Sequence, residues 1–221
     1  MRQAIDRILS SKLFKPAVFL AALGPAVWLV WDLGIWLGWW ESTHGGLGVD
    51  PTKELLHRTG SKALLFLFLS LSVTPLRRLF SLNRLQAIRR MLGVWAFAYA
   101  VLHVTAYLVL DRGCFSFSTC DLESIWNDIA KRPFIWAGLV AFSVLSLLAA
   151  TSTNWSIRKL RRWWQRLHRL VYLGAFAGIV HFVWIQKSDI SEPLRWMYVF
   201  TLLMALRIVF AIRKRRAARA A

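Results

Sequence analysis

Acidic residues are scarce in this 221-residue chain: 11 Asp and Glu stand against 29 Lys and Arg, a formal net charge of +18. Asp32 is the one carboxylate well inside an apolar run. A transporter or channel passing protons or metal ions needs several buried acids, so this scarcity argues against that class. Cysteine is almost lacking. Cys114 and Cys120, the only two, do not form a Cys-x-x-Cys pair, which excludes a zinc ligand set and a thioredoxin-like motif. There is no Gly-x-Gly-x-x-Gly turn, so hydride from NADPH has no nucleotide-binding module to enter by. Gly-x-Ser-x-Gly and His-Glu-x-x-His are missing too, which removes the usual hydrolase readings. No Gly/Ser linker or soluble module interrupts the chain, and residues 1–221 read as one transmembrane domain.

What is present is apolar surface. Hydrophobic residues make up 57% of the chain, with 13 tryptophans, more than the roughly 45–50% of an ordinary soluble domain. Six apolar runs stand out, at about 16–40, 57–76, 91–110, 133–150, 167–186 and 194–212. A helix rising ~1.5 Å per residue needs about 20 residues to cross the hydrocarbon layer, and each run suffices. The expected fold class is all-α: a polytopic bundle of six transmembrane helices. The first run is longer than the ~7–15-residue core of a cleaved signal, so it is expected to remain as the first helix.

The positive charge is distributed topologically. Nineteen Lys and Arg fall in the amino-terminal tail, the 77–90 and 158–166 loops and the carboxyl tail, against five in the other three loops. The positive-inside rule places both termini in the cytoplasm and accounts for the charge without nucleic acid. Cys114 and Cys120 then share an outer loop, where periplasmic conditions allow a local disulfide.

Five histidines remain. His44 lies in the first outer loop, "THGGLGVDPTKE", and His57 at the outer end of the second run. His103 lies about 18 Å along the third helix from Met91, and His181 about 21 Å along the fifth from Leu167. Both helices enter from the cytoplasm, so the two imidazoles are level in the outer half. Two neutral imidazoles at one depth on two helices suit the axial positions of a b-type heme. Ala96 and Ala100 fall near the His103 face, and Gly174 and Gly178 on the His181 face, leaving room for a macrocycle. Read alone, the two glycines also fit a helix-packing motif.

His168 sits at the cytoplasmic edge, turned about 140° from His181 in an ideal helix, so the two share a stripe only if the helix bends. Arg89, fourteen residues before His103 and on its face, is where a second imidazole would stand. Arginine cannot ligate iron, but its fork suits a phosphate or propionate. Arg89, His168 and Arg169, with Trp163 and Trp164 nearby, therefore form an inner site for a second heme, a flavin phosphate, a quinone or lipid headgroups.

The segments "HGGLGVDPTKELLHRTG", "TPLRRL", "RRMLGVWAFAYAVLHVTAYLVLD" and "RRWWQRLHRLVYLGAFAGIVHFVW" together resemble the MsrQ family of heme-binding membrane subunits, within the ferric-reductase-like transmembrane group. The resemblance implies a bacterial inner-membrane cytochrome carrying heme b, and FMN as well. It also implies electrons passing from quinol, or from a cytosolic flavin reductase, to the periplasmic molybdopterin-containing reductase subunit MsrP. The family's histidines map onto His103, His168 and His181. A stand-alone ferric or quinone reductase without a dedicated partner is the alternative. With the surer ligand pair in the outer half, electrons are expected to leave on the periplasmic side. His44, His57 and Asp50, beside the turn-forming Gly45, Gly46 and Gly48, mark an outer site or docking surface.

Overall fold

The structure is a computed structural model describing residues 7, 9–41, 46–116, 119–186 and 189–220. Among these residues every regular element is helical. In chain order they are α1 (Phe14–Trp36), α2 (Pro51–Phe80), α3 (Gln86–Ala106), α4 (Leu122–Lys131), α5 (Pro133–Ala150), α6 (Asn154–Leu167), α7 (Val171–Ile185) and α8 (Ser191–Ala220). A 3-10 turn leads into α3, a π turn over Tyr107–Asp111 ends it, and a second 3-10 turn over His168–Leu170 joins α6 to α7. Six stretches are long and apolar enough to cross a membrane: Phe14–Trp36, Pro51–Phe80, Asn83–Asp111, Pro133–Ala150, Asn154–Ile185 and Ser191–Arg219.

Helix ends differ from the apolar runs where local chemistry intervenes. The first run continues to residue 40, but α1 stops at Trp36 because Gly38 takes a left-handed turn (φ 74°). Trp40 folds back onto Gly34, where a side chain would overlap its ring. At the other extreme, α2 starts six residues ahead of its apolar run. Asp50 accepts the Lys53 N–H at 3.0 Å, and Pro51 occupies the first helical position, where its missing N–H costs nothing.

The chain groups into two compact units. One comprises Met1–Leu67 and Arg90–Pro133. Its interior contains the buried Asp32 carboxylate, 1% exposed. Asp32 accepts Arg58 Nη1 at 2.5 Å and the Gly46 N–H at 3.0 Å, while Arg58 Nε donates to Glu54 at 2.6 Å. One carboxylate thus ties α1 to α2 and to the loop between them. Tyr99 donates to the Ala22 carbonyl at 2.8 Å and stacks on Phe66. Tyr107 and Arg132 both bind Asp128, which fastens α4 to the π turn, and Cys114 and Cys120 are joined in a disulfide.

The other unit comprises Phe68–Arg89 and Phe134–Ala221. Here Gly174 of α7 lies so close to α5 that a Cβ would come within 3.0 Å of Val144, and Phe68 packs on Trp196 of α8. Thr153 caps α6 by accepting the Ser156 N–H at 3.1 Å, and Trp164 Nε1 donates to the Thr151 carbonyl at 2.9 Å.

Removing Asp32 strands two donors, and the rest of Arg58's charge then rests on a half-exposed Glu54. Asp32→Ala is expected to lower stability by about 3 kcal/mol and Glu54→Ala by less than about 1 kcal/mol. Thermal unfolding of the purified variants in detergent checks the order; equal losses would show that the pair does not anchor the loop.

Candidate functional site

Three histidines within the spanning helices share one hydrogen-bond pattern. On α3, His103 Nδ1 lies 2.9 Å from the Leu56 carbonyl and 3.2 Å from Thr59 Oγ1. A carbonyl can only accept, so Nδ1 carries the proton and, in the neutral ring, Nε2 carries the lone pair. Thr59 is buried and passes its own proton to the Leu55 carbonyl at 2.7 Å, which leaves its oxygen to face the imidazole. The ring approaches closely because residue 60 is glycine: a Cβ there would stand 3.2 Å from His103 Nδ1 and Cε1.

His181, on α7, repeats the arrangement against α5. Its Nδ1 donates to the Phe134 carbonyl at 2.7 Å, and a Cβ at Gly138 would lie 2.8 Å from Nδ1. In both cases the accepting carbonyl belongs to the residue four before the glycine, Leu56 before Gly60 and Phe134 before Gly138. In an α-helix residues four apart are stacked on one face, so omitting the second side chain opens the carbonyl of the first to a neighbour. This is the hydrogen bond that orients a metal-binding histidine and makes its Nε2 more basic.

His168 opens the 3-10 turn between α6 and α7. A 3-10 turn advances about 120° per residue instead of about 100°, which reduces the offset between His168 and His181 from about 140° to about 80°. Its Nδ1 is 3.1 Å from the Trp164 carbonyl and its ring stacks on Trp164 at 3.9 Å. The Leu148 carbonyl lies close to the ring, yet Nε2 is buried and completes no hydrogen bond among the described residues. Arg89 and His168 lie in the same compact unit.

The remaining expected positions are more ordinary. Arg169 is exposed beside His168, and Trp163 is exposed under the Arg166 guanidinium. Ala96 and Ala100 are buried within the first unit, and Gly174 is taken up by packing on Val144. Gly178 is partly buried on α7, and His57 is exposed on the first full turns of α2. Asp50 serves as the α2 cap, and Gly46 and Gly48 adopt positive φ, as turns require. His44 lies outside the described residues. Thr59, Gly60 and Gly138 were not singled out by sequence reasoning; their signal is a glycine four residues after a carbonyl on a facing helix, which needs the helix pairing to be known.

Among the described residues six helices are of membrane length, two of them carrying the three imidazoles, and residues 59–179 match the family described as ferric reductase like transmembrane component, so the chain is a ferric-reductase-like transmembrane protein. The match includes His103 and His168 and ends just short of His181. Relatives that share most of the chain narrow this further. A protein of Agrobacterium fabrum is 44% identical over 187 residues, covering 83% of this chain and 84% of its own. One of Xanthomonas oryzae pv. oryzae is 41% identical over 196 residues, covering 87% and 84%. One of Xanthomonas euvesicatoria pv. vesicatoria is 40% identical over 206 residues, covering 91% and 88%. Each is named protein-methionine-sulfoxide reductase heme-binding subunit MsrQ, and the chain belongs to the MsrQ family.

The glycine cradle has a direct steric test. Gly138→Ala pushes a methyl against the buried His181 ring and is expected to cost about 1–3 kcal/mol. Gly24→Ala adds a methyl to open space on a helix and is expected to be neutral or to stabilise by up to about 1 kcal/mol. Thermal unfolding of the two variants reads the difference; a harmless Gly138→Ala would mean that the close approach is not required.

Proposed function

We propose that the chain is the heme-carrying membrane subunit of a methionine-sulfoxide reductase system. It conveys electrons from the quinol pool, or from a cytosolic flavin reductase, to the periplasmic molybdenum-dependent reductase subunit MsrP, in support of the repair of oxidised periplasmic proteins. It lies in a bacterial inner membrane with both termini in the cytoplasm. Its name-bearing relatives support the system, and the distribution of Lys and Arg supports the orientation.

The observation that carries the cofactor assignment is the repeated Nδ1–carbonyl hydrogen bond at His103 and His181. It fixes each ring as the tautomer with its lone pair on Nε2, the form an iron ligand needs, and it limits rotation of the ring. His103 and His181 would hold a heme iron through Nε2. A bound b-type heme supplies a one-electron carrier. The chain's own residues hold the rings through the Leu56 and Phe134 carbonyls.

His168 and Arg89 form the inner site. His168 has the same tautomer, since the Trp164 carbonyl accepts its Nδ1 proton. Beside it stands a guanidinium rather than a second imidazole, which suits an anionic group of a cofactor, a second heme or FMN, better than symmetric axial ligation.

Heme content and absorption spectra of the purified single variants test this assignment. His103→Ala and His181→Ala are each expected to lose most of the heme. His168→Ala is expected to retain a low-spin bis-imidazole spectrum while accepting electrons poorly from the cytoplasmic side. Equal loss in all three would replace the ligand pair.

A further inference from the structure

Arg207 interrupts the apolar run of α8, and sequence reading passed over it. Its Nη1 donates to Tyr172 Oη at 2.9 Å, its Nη2 to the Leu71 carbonyl at 2.5 Å, and its plane lies over the Tyr172 ring at 5.2 Å. The Leu71 carbonyl is available because the residue four further on α2 is Pro75, which has no N–H to return. Arg207 Nε is buried and has no partner among the described residues. These neutral acceptors account for part of the donor fork and for none of the charge.

Arg89 is the second cation. It is partly buried, and its side chain forms no ion pair or hydrogen bond among the described residues. Its backbone carbonyl accepts Ser70 Oγ at 2.9 Å, one residue before the carbonyl that Arg207 binds. Arg89 and Arg207 lie within electrostatic range of each other and of Tyr172.

Among the described residues no carboxylate pairs with either guanidinium. The segments 68–89 and 134–221 contain two acids, Asp189 and Glu192. Glu192 is fifteen residues before Arg207 on α8, about 22 Å along the axis. Elsewhere Asp32 and Glu54 are engaged by Arg58, and Asp111 and Asp128 by Arg112 and Arg132. Arg207 bound to Tyr172 and the nearby Arg89 are two partly desolvated guanidinia with no acid paired to either among the described residues, an arrangement that an anion from outside the protein would stabilise.

We infer that Arg207, Arg89 and Tyr172 form a binding site for a phosphate or carboxylate oxyanion. The inference rests on the reading of Arg89 as part of the inner site and adds α8 to it. A guanidinium presents paired donors in a plane that matches the two oxygens of either group. The oxyanion can be borne by a cofactor or by a phospholipid, and the two differ in mass.

The test is native mass spectrometry of the full-length protein purified in a nonionic detergent, with the heme spectrum recorded on the same samples. Wild type is expected to carry a phosphate- or carboxylate-bearing molecule. Arg207→Gln and Arg89→Gln are each expected to reduce its occupancy about tenfold, the loss of one charge-assisted interaction. Loss of a phospholipid mass identifies a lipid headgroup, and loss of a heme or flavin mass identifies a cofactor. Gln can still donate to the Leu71 carbonyl, so a purely structural Arg207 predicts unchanged occupancy in Arg207→Gln. Should that variant misfold, Pro75→Ala restores an N–H to Leu71, and Arg207→Gln is repeated in that background. The inference is overturned if both Gln variants keep wild-type occupancy, or if wild type carries no such molecule and neither inorganic phosphate nor phosphatidylglycerol vesicles raise its Tm. Absence of the His103–His181 heme spectrum with the Arg-dependent anion retained would overturn the proposed function and leave this site standing.

Discussion

A neutral imidazole has one proton to place, and at His103, His181 and His168 a hydrogen bond from Nδ1 to a helix carbonyl places it. Much else in the structure serves that bond. Gly60 and Gly138 allow the first two rings to come close, Thr59 turns its own proton away so that its oxygen can face His103, and the 3-10 turn aims His168 at the Trp164 carbonyl. In an apolar interior a free ring would lose a hydrogen bond and gain rotational freedom, both unfavourable for holding a metal-containing cofactor.

Charge obeys a parallel constraint. In the first unit the ion pairs join Asp32 and Glu54 to Arg58, and Asp128 to Arg112 and Arg132. In the second unit Arg89 and Arg207 form no ion pair among the described residues, and its two acids, Asp189 and Glu192, lie at or just before the start of α8. That contrast separates ion pairs that staple loops to helices from a guanidinium, Arg207, held only by neutral acceptors.

Legibility from sequence followed the range of each signal. Hydropathy over twenty residues is local, so all six spans could be read, with ends displaced where a glycine turn or an Asp cap acted. Histidine identity is local too, so His103, His168 and His181 could be read as candidates. The 3-10 turn at His168 could not be read, because nothing in "RLHRLVY" dictates one. Pairings across the chain could not be read at all. Asp32 stood out as a lone acid, but its partner Arg58 lies 26 residues away on another helix. Gly60 and Gly138 look like any helical glycine until the histidine facing each is known. Arg207 is masked by the apolar residues around it, and its tie to the Leu71 carbonyl spans 136 residues. Gly174, read as open space for a macrocycle, is instead consumed by contact with Val144.

The central claim concerns one bond at each ligand, and electron-nuclear double resonance on the oxidised protein labelled with ¹⁵N-histidine addresses it directly. The account predicts a low-spin ferric centre bound by two imidazole nitrogens, each ring carrying an exchangeable proton on its remote nitrogen with the coupling of a hydrogen bond to an amide carbonyl. A single coordinated imidazole, a non-histidine axial ligand or remote nitrogens without that proton would contradict it.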